Sequence, residues 1–169
     1  MSYLLGLDIG TSGTKSVLFD ETGVPAASFT SEYPMEQPKP GWAEQDPECW
    51  WQAAAESISA VLTQSGIDAG EIAGVGLSGQ MHSWVCLDAD GRVRRKAILW
   101  CDQRTADSAQ ALTDLVGRDT LVSVTANPAM TGFTAAKLLW VRTHEPEIYE
   151  KTRKILLPKD YIRYRLTGE

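Results

Sequence analysis

The stretch Asp8-Ile9-Gly10-Thr11-Ser12-Gly13-Thr14-Lys15 carries the residue types that handle a phosphate. A carboxylate ends an apolar run, and a turn rich in glycine and hydroxyl residues leads to a lysine. Glycines at 10 and 13 let backbone N–H groups approach an anion closely. Thr11, Ser12 and Thr14 add hydroxyl donors. Asp8 suits a hydrated Mg2+, an ion held by few carboxylates together with substrate phosphates. Lys15 supplies compensating positive charge. By spacing alone, a glycine-rich hairpin with a surface lysine reads as well.

Two further groups suit a neutral, hydroxyl-rich ligand. In Gly79-Gln80-Met81-His82, the Gln80 amide and the His82 imidazole each offer both a donor and an acceptor. In Trp100-Cys101-Asp102-Gln103-Arg104, the indole can cover the C–H face of a sugar and Asp102 can accept from hydroxyls. The plain alternatives are a satisfied, partly buried histidine, and a core tryptophan followed by Asp102 as a helix N-cap.

The elements that must position these residues read as follows. Residues 3–8 form a short buried strand ending on the acid, Ser16 to Asp20 a second strand, and Val24 to Ser31 a third, giving an antiparallel meander. A proline-rich loop leads to Asp46-Pro47-Glu48, a helix start. Trp51, Ala54, Ile58, Val61 and Leu62 share a face of that helix, which ends before Gly66. Ile72 to Leu77 and Trp84 to Leu87 read as strands, with an Asp90-Gly91 turn returning through Val93 to Leu99. A helix is expected over Asp102 to Val116 with a stripe of Ala106, Ala109, Leu112 and Leu115, then a break at Asn127-Pro128. Thr134 is placed to cap a helix to about His144, Ile155 to Leu157 makes a strand, and Pro158 opens a last helix to Leu166. This order predicts a mixed α/β layer fold. Gly74-Val75-Gly76-Leu77-Ser78-Gly79 matches the dinucleotide pattern G-x-G-x-x-G, but a strand rather than a helix follows, so close strand packing is the reading.

Composition bounds the function. The chain has 169 residues, 43% of them hydrophobic and 22% charged, which excludes disorder and a disulfide scaffold as the main state. Asp and Glu outnumber Lys and Arg 22 to 16, the wrong balance for neutralising nucleic-acid phosphates. No apolar run approaches the roughly 18 residues of a membrane span. Met1 to Asp8 lacks the basic and apolar regions of a secretion signal. The odd trio Cys49, Cys86 and Cys101 makes neither a disulfide framework nor a zinc pattern, so a cytoplasmic protein is expected.

Taken together, the motifs resemble the FGGY carbohydrate kinases. Asp8 to Lys15 is similar to that family's opening phosphate turn, and Trp42-Ala43-Glu44-Gln45-Asp46-Pro47 with Trp50-Trp51 to its W-x-E-Q-D-P segment. Gly79-Gln80-Met81-His82, Ala97-Ile98-Leu99-Trp100 with Asp102 and Arg104, Gly132-Phe133-Thr134-Ala135, Lys137 to Val141, His144 to Glu147 and Leu157 to Tyr161 resemble its xylulokinase branch. The chain departs from that branch at Cys101, where asparagine is common, at Ser83-Trp84 and at Ala136.

The resemblance implies an actin-like, ribonuclease-H-like ATPase fold with a mixed sheet, residues 1–169 being the first of two domains. It implies ATP and Mg2+ as cofactors and D-xylulose as substrate, phosphorylated to D-xylulose 5-phosphate. Asp8 then matches the acid near Mg2+ and the transferred phosphate, and Gly10, Thr11, Ser12 and Lys15 the phosphate turn. Met81 and His82, with Gln80, match the sugar site, and Trp100 and Asp102 a loop beside it. The resemblance places the general base and the adenine pocket in a second domain outside this chain, so residues 1–169 alone are expected to be inactive. A face left for that domain, with Met130, Phe133 and Trp84 as candidates, predicts poor solubility or a homodimer. Another FGGY kinase for a ketose or polyol, a non-catalytic sugar-binding or scaffold module, and an actin-like ATPase are the competing readings.

Overall fold

The computed structural model describes residues 2–169, among which lie eight strands and six α-helices. In chain order these are β1 (Tyr3–Ile9), β2 (Gly13–Phe19), β3 (Pro25–Glu32), β4 (Glu44–Gln45), α1 (Pro47–Ser65), β5 (Ile72–Gly79), β6 (Val85–Leu87), β7 (Ala97–Ile98), α2 (Ala106–Val116), α3 (Arg118–Thr125), α4 (Thr134–His144), α5 (Pro146–Lys151), β8 (Lys154–Leu156) and α6 (Pro158–Thr167). They fall into two compact units. The first takes the residues up to Met35 with Pro47–Gln80 and Pro158–Glu169, and the second takes Glu36–Asp46 with Met81–Leu157.

The first unit is built on a mixed sheet of strand order β3-β2-β1-β5. The meander β1-β2-β3 is antiparallel, and β5 returns after α1 to lie parallel to β1. Alternation in β1 sorts its residues by face: Leu5, Leu7 and Ile9 are buried, while Leu4 and Asp8 are exposed. Helix α1 packs on this sheet and buries Trp50, Ala53, Ala54, Ser57 and Val61. That stripe is rotated from the expected one, in which only Ala54 and Val61 are fully buried. Ser57 on that face is tolerated because its hydroxyl bonds the buried Ser16 hydroxyl at 2.6 Å, a pairing no hydrophobic pattern shows. The helix stops as expected, with Gly66 at φ +68° and its N–H bonded to the Leu62 carbonyl.

The whole G-x-G-x-x-G pattern lies inside β5, so no helix opens there and the dinucleotide reading is excluded. Gly79 serves close approach instead, since a Cβ at this position would sit 2.7 Å from the Ile9 carbonyl oxygen.

The second unit packs around Trp84, Cys86, Ile98, Trp140 and Val141. Strand β4 pairs with β7 and β6 with β8, both antiparallel. Trp84 is fully buried here, which removes it from the expected exposed face, whereas Met130 is exposed and Phe133 half-buried. The predicted long return strand shrinks to β7 plus a bridge between Leu87 and Val93. The Asp88 carboxylate takes the N–H groups of Asp90 and Arg92, so the segment closes as a side-chain-held turn with Gly91 at φ +76°.

Helix α2 begins at Ala106, not at Asp102, and Leu115 of its predicted stripe is 82% exposed. Helices α3 and α5 were not legible as separate elements. Gly117, at φ +86°, separates α2 from α3. Thr134 is the first residue of α4 and not its cap, because its hydroxyl is committed to the His82 carbonyl. Among the described residues no disulfide forms, and no helix is long and apolar enough to cross a membrane.

Candidate functional site

The first unit presents the turn expected to hold phosphate. Residues 10–13 connect β1 to β2, closed by the Gly10 N–H donating to the Gly13 carbonyl at 2.9 Å. Both glycines are sterically required: a Cβ on Gly10 would lie 2.9 Å from Gly13 O, and one on Gly13 would lie 2.8 Å from Ser31 O. The turn is braced by its carbonyls. Gly10 O accepts from the Tyr33 hydroxyl at 2.7 Å and from the Gln80 amide at 3.1 Å, and Ser12 O accepts from the Tyr33 N–H at 3.1 Å. Burial pushes the Tyr33 phenol up to about 12, so the ring remains a donor throughout the neutral range.

Asp8 stands opposite Lys15 on one side and Ser78 on the other, in register on the exposed face of the sheet. With Gly6 and Gly76 they line a pocket of about 330 Å³. Among the described residues no group of three or more His, Cys, Asp or Glu side chains gathers to cage a metal. A single exposed carboxylate beside hydroxyls fits Mg2+ that arrives with a nucleotide, because that ion keeps most of its coordination in water and phosphate oxygens.

The second unit presents Met81, His82 and Trp100. Met81 is 61% and Trp100 48% exposed, and His82 is half-buried. His82 lies at φ +65°, and the Ser83 N–H closes back onto the Met81 carbonyl at 2.8 Å. This is a tight turn of a rare, strained kind for a side chain larger than glycine. The imidazole stacks on Phe133, with ring centroids 4.3 Å apart. The His82 carbonyl accepts from the Thr134 hydroxyl and the Lys137 ammonium, each at 3.1 Å. Lys137 also donates to Gly132 O, and it is fully buried. Burial depresses its ammonium to about 8, against the stabilising charge of nearby Asp102.

Asp102 occupies a different place from Trp100. It is fully buried, and its oxygens accept from the Ala43 N–H at 2.6 Å and from the Arg104 guanidinium at 2.7 to 3.0 Å. Arg104 reaches on to Glu44 at 2.7 Å and lies 3.6 Å over the Trp42 ring. The carboxylate therefore holds a loop, and a direct bond to a ligand hydroxyl would require one of these bonds to open. Gln80 likewise spends its amide on the phosphate turn. Sequence reasoning missed Tyr33 and the bracing role of Lys137. Nothing local marked Tyr33, whereas a lysine inside the apolar run Ala135-Ala136-Lys137-Leu138-Leu139-Trp140 was a readable signal of a buried cation.

The model of the N-terminal domain of the FGGY family of carbohydrate kinases matches residues 3–169. The chain belongs to the FGGY family. It is 44% identical over 168 residues to the xylulose kinase of Bacillus subtilis strain 168, covering 99% of this chain and 34% of that one. Among solved structures, a xyloylose kinase from Brucella ovis superposes with a TM-score of 0.93 at 44% identity, covering 99% of this chain and 34% of that one. A gluconate kinase from Lactobacillus acidophilus superposes with a TM-score of 0.91 at 33% identity, again with 99% and 34% covered. This FGGY chain thus spans about a third of the length of the relatives it matches, and its mixed sheet is that of the actin-like, ribonuclease-H-like ATPase fold.

Proposed function

We propose that the protein carrying residues 1–169 is an ATP-dependent kinase of D-xylulose, transferring the γ-phosphoryl group to give D-xylulose 5-phosphate. The observation that carries this reading is the braced phosphate turn with Asp8 and Lys15 in register beside it, in a chain of the FGGY family. Phosphoryl transfer asks the protein for positioning and charge stabilisation more than for covalent chemistry. Thr11 and Ser12 supply donors to phosphate oxygens, Gly10 keeps the turn tight through its bond to the Gly13 carbonyl, and Lys15 offsets the phosphate charge. Asp8 would hold Mg2+ through water, the ion screening the charge that builds on the transferred group. Met81, His82 and Trp100 contact the sugar, with Gln80 and Asp102 acting through the loops they hold. The reacting hydroxyl forms the new O–P bond as the bond to ADP breaks, and its proton goes to a base that this reading assigns outside residues 1–169. A cytoplasmic location, where ATP is supplied, fits the reading.

A second reading is favoured by the gluconate kinase likeness and by Cys101, Ser83 and Trp84 departing from the xylulokinase pattern: the acceptor is a sugar acid or another polyol. A panel decides between them. ADP release by the full-length gene product is measured with Mg-ATP and D-xylulose, D-ribulose, D-gluconate or glycerol. The proposal expects the largest kcat/KM for D-xylulose. A larger value for gluconate replaces it with the second reading, and sugar-independent ADP release contradicts both.

A further inference from the structure

Lys137 is a charged side chain with no exposed surface, on a helix that otherwise buries Ala136, Trp140 and Val141. Burying an ammonium is costly unless its charge and its protons are met. Its hydrogen bonds go to main-chain carbonyls, those of His82 and Gly132. Those two carbonyls belong to the segments that frame the candidate sugar site. His82 sits at the strained corner of the 81–83 turn, and Gly132 is packed so tightly on Trp100 that a Cβ would lie 2.9 Å from the Trp100 carbonyl oxygen. The Trp100 N–H in turn donates to the Ser83 hydroxyl at 3.1 Å. One ammonium therefore ties together the segments bearing Met81, His82 and Trp100, and Thr134 adds a second donor to the same His82 carbonyl.

We propose that Lys137, assisted by Thr134, is a positioning residue for the sugar site, holding the left-handed His82 corner in the form that presents Met81 and the imidazole to the ligand. This rests on the sugar-site reading above. A non-glycine residue at positive φ persists only where its surroundings over-determine it. Here two donors fix the carbonyl, and the Phe133 ring fixes the imidazole from the side. Losing the ammonium frees the corner to relax toward ordinary backbone angles, turning the imidazole away without altering the phosphate turn of the other unit. The charged and titratable groups facing Lys137 are Asp102, Cys101 and Arg104, with His82 at its carbonyl. Asp102 favours the ammonium, and Arg104 and burial oppose it.

The test uses the full-length gene product, with KM for D-xylulose and for ATP measured separately on Lys137→Met, Thr134→Val, Thr134→Ser and His82→Ala, alongside melting temperatures. Lys137→Met is expected to raise the D-xylulose KM by about tenfold or more, with the ATP KM within about twofold. Thr134→Val should raise the sugar KM by a few-fold, and Thr134→Ser should restore it. If Lys137→Met does not fold, the Thr134 pair decides alone. His82→Ala raising the sugar KM while folded Lys137 and Thr134 variants leave it unchanged overturns the positioning role only. An unchanged KM in His82→Ala overturns the sugar-site reading and the proposal with it.

Discussion

Replacing Arg104 with Met isolates the buried charge cluster of the second unit. The Arg104 side chain is 1% exposed and Asp102 not at all. The guanidinium gives Asp102 bonds at 2.7, 2.9 and 3.0 Å, gives Glu44 one at 2.7 Å, and covers Trp42 at 3.6 Å. Methionine keeps much of the volume and contact with Trp42 but leaves the Asp102 carboxylate buried without its arginine. Removing one partner of a buried pair costs about 3–5 kcal/mol, because the remaining charge is stranded in low dielectric. The individual bonds do not add on top of that figure, since they share one charge. The expected loss is therefore about 4 kcal/mol, nearly a thousandfold in the folding constant at ~1.4 kcal/mol per decade. Urea unfolding of residues 1–169 followed by far-UV circular dichroism measures it, with the m-value showing whether the states being compared are the same. Asp102→Asn in the Arg104→Met background should cost much less than it does alone. A loss below about 1 kcal/mol at unchanged m, the worth of a solvated surface pair, would refute the reasoning.

Other expectations follow from single contacts. Gly79→Ala forces a Cβ to 2.7 Å from Ile9 O at the end of the β1–β5 pairing, and should destabilise by about 1–3 kcal/mol in the same urea assay. Tyr33→Phe removes the hydroxyl bond to Gly10 O; a loss of about 1–2 kcal/mol is expected, with faster amide exchange confined to residues near 10–13. Lys137, depressed to about 8 from 10.5, carries fewer protons folded than unfolded between those values. Stability relative to Lys137→Met should therefore rise with pH across that window, by on the order of 3 kcal/mol at most, as thermal melts at pH 7.5 and 10 would register. A relative fall would contradict the assignment.

The tight turn at residues 10–13 and the strand before it are legible because glycine spacing and period-two burial are local properties. The first helix is legible at both ends, through Pro47 and Gly66, but not in rotation: Trp50 and Ala53 face the sheet with Ser57, a polar residue that the hydrophobic pattern leaves outside and that the buried Ser16 hydroxyl satisfies. Asp102 is not an N-cap for a related reason: it is engaged by Arg104 two residues on and by the Ala43 N–H, and Ala43, like the Glu44 that also holds Arg104, lies far away in sequence. Trp84 looked like exposed apolar surface because nothing local says that Ile98 and Trp140 will enclose it. The His82 corner was flagged for its imidazole alone. That its backbone is left-handed, and that a buried lysine holds its carbonyl, depends on α4 arriving from fifty residues downstream.

The proposed reaction carries a phosphoryl group from ATP to a ketose. Its most direct test is 31P NMR of a reaction of the full-length gene product with Mg-ATP and D-xylulose. A phosphate monoester resonance coupled to the two protons of a terminal carbon, growing in step with ADP, is expected. Growth of inorganic phosphate with ADP, and no sugar ester, would make the protein an ATP hydrolase and overturn the proposed kinase reading.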